Sequence, residues 1–238
     1  MALFSPEHVA AIAATALAAL LLVIAAHRVD DRAATRLARG LAILILAGFV
    51  VEHATYLARG TWTARVNLPL QLSDAVTLVA IVALWRPRPG LLTELVYFWA
   101  LSASLQALLT PDLGDTFPDV LFFTYFVVHA GAIAAACLLV FGMRRLPRRW
   151  AVWRVYAVTI AFAALAALGC VVTGGNYMFL RRKPAGGSLL DLFGPWPWYI
   201  LGAAVLGLAL MLVLEAITRL VARERPDTLA DPERLESP

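Results

Sequence analysis

The chain has 238 residues, 61% of them hydrophobic and 15% charged, against roughly a quarter charged in soluble domains, which excludes an ordinary soluble globule. Its apolar runs are long and continuous, unlike the alternating ten-residue segments of a membrane barrel, so the expected class is an all-α polytopic membrane protein. The net charge of +4 gathers in short loops with no basic stripe interleaved with aromatics, which excludes a nucleic-acid binder.

A bilayer-crossing helix takes ~20 apolar residues. Hydropathy predicts seven, at about 8–26, 37–57, 66–85, 92–109, 119–142, 150–172 and 196–220. They form one transmembrane domain over residues 1–220, and the polar, proline-containing remainder, 221–238, is expected to be a disordered cytoplasmic tail. The start MALFSPEHVAA has no Lys or Arg before its apolar run, so the first run reads as a permanent helix and not as a cleaved signal. Cys137 and Cys170 both lie inside apolar runs and read as small buried hydrophobes. Neither a disulfide framework nor a metal site is indicated, and no cofactor is called for.

Alternate connections divide the twenty Lys and Arg residues fifteen to five. The richer side includes Arg28, Arg32, Arg86, Arg144, Arg148 and Arg219, and the poorer side holds only Arg59, Arg65, Arg181, Arg182 and Lys183. The positive-inside rule then predicts an outside N-terminus and a cytoplasmic C-terminus in the cell membrane. Trp196, Trp198 and Tyr199 open the last helix at the outer interface, where amphipathic rings favour headgroup level.

Ionisable groups inside spans are costly and point to a bundle interior or a wet cavity. Helix two carries Glu52 and His53 near its outer end. Helix three carries Asn67, Gln71, Ser73, Asp74 and Thr77 in its first turns. Helix four ends with Ser102, Ser104 and Gln106, helix five carries His129, and Asn176 and Tyr177 follow helix six. All fall in the outer half. At 100° per residue, Asn67, Gln71 and Asp74 lie within about 60° of one another, so one side of helix three is expected to be polar and to line a cavity.

A serine hydroxyl becomes a nucleophile when a neutral imidazole takes its proton. Ser73 and His129 are the expected dyad, with Gln71, Asp74, Glu52, His53 and Asn176 in support. Arg59, Arg65, Arg181, Arg182 and Lys183 stand above it as candidate ligands for a lipid phosphate or carboxylate. The expected partners are membrane lipids, and no protein partner is evident. Two other readings stay open: a proton-coupled or small-solute transporter using Glu52, Asp74 and His129, and a ligand receptor. A retinal protein is excluded, since the one lysine, Lys183, lies in a loop.

NLPLQLSD at 67–74, the histidine of VVHAG at 127–131, and GGNYMFLRRKP at 174–184 followed by GPWPWYI at 194–200 resemble the YwaF-like family of bacterial integral membrane proteins, which is similar to the eukaryotic transmembrane protein 164 group. The resemblance covers roughly residues 40–215. It implies phospholipid acyl-transfer chemistry with a cysteine nucleophile and a histidine, on a fold like that of androgen-induced membrane hydrolases, which use a threonine and a histidine. Carried over, the nucleophile maps to Ser73 and the histidine to His129. Serine in place of the family's cysteine implies either a serine-type hydrolase or the loss of acyl transfer.

Overall fold

In a computed structural model, described here over residues 4–111, 113–184 and 188–223, the chain is a helical bundle with no strand among the described residues. Seven apolar helices follow one another: α1 Pro6–His27, α2 Asp31–Ala58, α3 Leu72–Trp85, α4 Leu91–Leu109, α5 Val120–Gly142, α6 Ala151–Thr173 and α7 Trp198–Arg223. Six are long and apolar enough to cross a membrane, and α3 is shorter. Of the expected tail, residues 221–223 continue α7, and 224–238 lie outside the described residues.

Local chemistry sets most of the boundaries. Ser5 caps α1, with Pro6 in the first turn, where the absent proline N–H removes no helical bond. Asp30 accepts from the Ala33 N–H at 2.7 Å, so α2 starts six residues before the expected 37, carrying Arg32, Arg36 and Arg39 on a polar first stretch. Asp119 caps α5 through the Leu121 N–H at 2.8 Å. Gly174 ends α6 in the left-handed conformation at φ +74°, which glycine adopts without a Cβ clash.

The expected third helix, 66–85, is corrected at its start: it begins at Leu72. Pro69 disfavours the helical region for Leu68 and has no N–H to give. Residues 61–71 are therefore irregular, and the 100° register assigned to Asn67 and Gln71 does not hold. At 1.5 Å per residue α3 is only ~21 Å long, and the irregular segment makes up the rest of the bundle's depth. Backbone at that depth has to be satisfied by the protein itself. Val66 and Asn67 donate to the Thr63 carbonyl, and the Asn67 side-chain oxygen accepts from the Thr63 N–H.

α4 and α5 are the most enclosed helices, and α1, α2, α6 and α7 leave long apolar faces outward, including Leu17, Leu44, Leu168, Val171 and Val205. Such faces suit lipid. α2 and α5 cross closely because each presents glycine there. A Cβ on Gly48 would sit 2.7 Å from Val127, and one on Gly131 2.6 Å from Ile45. Small residues at the crossing allow this approach.

Candidate functional site

The connection between α2 and α3 and the one after α6 dock on each other, and Tyr177 is the clamp. Its hydroxyl donates to the Ala64 carbonyl at 2.6 Å and accepts from the Leu68 N–H at 3.2 Å. Its own backbone is held by Cys170, whose sulfur lies 3.1 Å from the Tyr177 N–H. Burial raises the Tyr177 phenol above its usual pKa, with Asp74 and Cys170 acting in the same sense. His53 supports the segment from α2. Its Nε2 lies 3.2 Å from the Asn67 carbonyl and its Nδ1 3.1 Å from that of Phe49, whose ring lies tilted against it at a centroid distance of 4.3 Å.

This docking presents the N-terminus of α3. Gln71 is its N-cap residue, and its side-chain oxygen accepts from the Met178 N–H at 2.7 Å. Ser73 sits in the first turn, half-buried, its carbonyl accepting from Thr77 Oγ1 at 2.9 Å. The helical ladder begins with Ala75 donating to Gln71, so the N–H groups of Leu72, Ser73 and Asp74 precede it and have no intrahelical partner. Asp74 lies against the Gln71 N–H and close enough to Glu52 of α2 to feel its charge. Tyr56 feels both carboxylates. Glu52, Tyr56 and Tyr177 thus gather around Asp74, the residue after Ser73, from two other elements.

His129 is buried in α5, with the edge of the Tyr125 ring against it at a centroid distance of 4.3 Å. Its Nδ1 has no hydrogen-bond partner among the described residues. α3 and α5 pack together, but no hydrogen bond joins Ser73 to His129.

The remaining expected residues divide by what they touch. Asn176 organises its own loop: its side chain donates to the Arg182 carbonyl and accepts from the N–H groups of Arg181 and Arg182. Arg59 is committed to Asp119, at 2.8 and 3.1 Å, and to Asp115 at 3.6 Å. Lys183 pairs with Asp191 at 3.3 Å and lies over the Tyr199 ring. Arg65 reaches the Gly174 carbonyl and Arg181 that of Cys170. Among the five cations only the Arg182 side chain has no partner among the described residues.

The TMEM164 family model matches residues 3–215, nearly the whole chain. The chain belongs to the TMEM164 family. No curated protein and no solved structure matches it. In this TMEM164 family chain, sequence reasoning missed Tyr56, the clamping role of Tyr177, and Glu94 at the opposite end of the bundle. Glu94 is 1% exposed and bonded to Arg148 at 2.9 Å and Arg154 at 2.8 Å. A carboxylate in the first turn of α4 near an arginine-rich loop was the available signal for it. Nothing in the chain order brings Tyr177 to Ala64, which lies 113 residues away.

Proposed function

We propose that this protein acts on membrane lipid esters, as an acyltransferase or hydrolase, with Ser73 as nucleophile and His129 as base. The observation that supports this most is Ser73's place in the first turn of α3. The free N–H groups and dipole of a helix N-terminus favour negative charge, and preorganised donors at a developing oxyanion are a large catalytic contribution. His129 takes the Ser73 proton as Oγ attacks the ester carbonyl, and the tetrahedral oxyanion forms against the α3 N–H groups. Collapse expels the alcohol, which takes its proton from the imidazolium. Water then releases the acyl group as free acid, or a second lipid hydroxyl carries it away. Catalytic hydrogen bonds are often long or poorly aligned until substrate binds.

The arginine distribution supports placing this end of the bundle outward, so that the substrate comes from the outer leaflet. Arg182, and Arg65 and Arg181 by exchange of their carbonyl contacts, suit its anionic headgroup. A fluorophosphonate probe is expected to label Ser73 in the purified protein, and Ser73→Ala and His129→Gln are expected to abolish labelling. Absence of label on Ser73 in folded protein overturns the proposal. Proton-coupled transport has one observation in its favour, the proximity of Glu52 and Asp74. Proteoliposome uptake driven by a pH gradient and lost in Asp74→Asn, with no labelling at Ser73, would replace the lipid-ester reading with that one.

A further inference from the structure

α4 and α5 meet along an antiparallel seam. α4 contributes Leu101, Leu105 and Leu108, and α5 contributes Phe122, Phe126 and Ile133. Ser104 lies four residues before Leu108, one α-helical turn away, so it falls on the α4 seam. His129 lies three after Phe126 and four before Ile133, so it falls on the α5 seam. The hydroxyl of Tyr125 donates to the Ala107 carbonyl at 2.7 Å, which fixes the register. Stepping inward about one turn on each helix from that bond brings Ser104 and His129 to the same level. Ala100–Ser104, which packs against α5, is a π-helical turn, a distortion found frequently at functional sites.

Ser104 is fully buried and His129 is 5% exposed. Ser104 Oγ and His129 Nδ1 are both buried without a hydrogen-bond partner among the described residues. Buried polar atoms are nearly always satisfied, and orphaning one costs about 1–3 kcal/mol. A single water between two such atoms would satisfy both, since it needs as few as two polar partners.

We propose that Ser104 is the positioning residue for His129, holding Nδ1 through one buried water. This rests on the reading of His129 as a base. Ser102 gives its proton to the Phe98 carbonyl one turn back at 2.6 Å, whereas Ser104 Oγ accepts from no group among the described residues. Its lone pairs are then free to accept. Nδ1–H donates to the water and the water donates to Ser104 Oγ, which leaves the proton off Nε2, the nitrogen that must receive one from the nucleophile. Ser104 takes the orienting place that a carboxylate fills in a catalytic triad.

The test is nitrogen NMR of histidine-labelled protein in lipid nanodiscs, with His129 assigned by its loss in His129→Gln. The Nδ1–H tautomer is expected in the wild type. Ser104→Ala is expected to shift it to a mixture or to the Nε2–H form, and Ser104→Thr to restore it. The same Ser104→Ala protein is expected to lose at least tenfold in the maximal rate of fluorophosphonate labelling with its half-saturation concentration unchanged, whereas a loosened structure would move both. An Nε2–H tautomer in the wild type, or a tautomer indifferent to Ser104→Ala, overturns the inference. Should Ser104→Ala not fold, Ser104→Cys, close in size and weaker in hydrogen bonding, is read by the same criteria. The spectrum does not depend on turnover. A tautomer that follows Ser104 in a protein never labelled at Ser73 therefore upholds the positioning contact while the lipid-ester reading fails.

Discussion

Gln71 Oε1 accepts a 2.7 Å hydrogen bond from the backbone N–H of Met178, joining the first turn of α3 to the connection after α6. Met178 and Phe179 both have positive φ, 50° and 54°, a conformation that non-glycine residues hold only where the surroundings fix it. Gln71 is one of the groups that fix it, and Ser73 follows two residues later.

Gln71→Ala should therefore loosen the 174–184 connection more than the bundle. Loss of one hydrogen bond to a half-buried N–H costs about 1 kcal/mol. The expected outcome is faster proteolysis after Arg181 and Arg182 and a small drop in thermal stability in detergent, with Gln71→Glu, which keeps the acceptor, close to wild type.

Gly175→Ala should cost more. A Cβ at Gly175 would meet the backbone carbonyl oxygen of Arg65, and the Thr173 hydroxyl lies 3.0 Å away. Backbone cannot swing aside as a side chain can, so the docked connections must part. A loss of roughly 1–3 kcal/mol is expected for overpacking of this kind, read as a lower melting temperature. Gly114→Ala, which meets nothing within 4 Å, is the control.

At the other end of the bundle, the asymmetry of the Glu94 cluster predicts unequal mutants. Glu94 is 1% exposed, while the Arg148 and Arg154 side chains are 52% and 38% exposed. Glu94→Gln leaves two arginines that can turn to water and should cost little, since exposed charges contribute ~1 kcal/mol or less. Arg148→Gln with Arg154→Gln strands a buried carboxylate, for which about 3–5 kcal/mol is typical. Guanidinium-free thermal melts of the two proteins should rank in that order.

Acid should loosen the connection ends of the bundle first. Arg59 and the Leu121 N–H hold the Asp119 carboxyl below the usual range, and the Ser188 N–H and Lys183 do the same for Asp191. A lowered folded-state pKa means that the unfolded chain binds protons first, so the stabilisation is present above the ordinary value of about 3.9. It is lost as pH falls through the lower folded values. Melting temperatures from pH 6 to 3 should decline at the acid end, and Asp119→Asn should flatten part of that decline.

Much of this was legible in the chain itself, because hydrophobic burial and backbone hydrogen bonding in lipid leave few choices. Seven apolar runs give seven helices, and Asp30, Asp119 and Gly174 mark their ends by local chemistry. Residues near Ser73 were also legible as a group, since Glu52, His53, Gln71 and Asp74 are polar where polarity is costly. The start of α3 was misjudged because apolar content outweighed Pro69: hydropathy measures what can sit in lipid, while the proline decides whether it can be helical.

Other relationships depend on distant segments meeting, and no local pattern encodes them. His53, Gln71 and Tyr177 became props of an irregular segment, because backbone unsatisfied by its own helix must find partners elsewhere in the protein. Arg59 and Lys183, free cations on paper, found carboxylates. Sequence by itself determined that this is a membrane bundle with polar groups concentrated toward one end, since composition and period fix what each helix tolerates. Only the tertiary structure decided which of those groups face one another, which are bound in pairs, and that Ser104 and His129 are each buried with a polar atom left unpartnered among the described residues. Register between helices is set by packing across the bundle and not by any one helix alone.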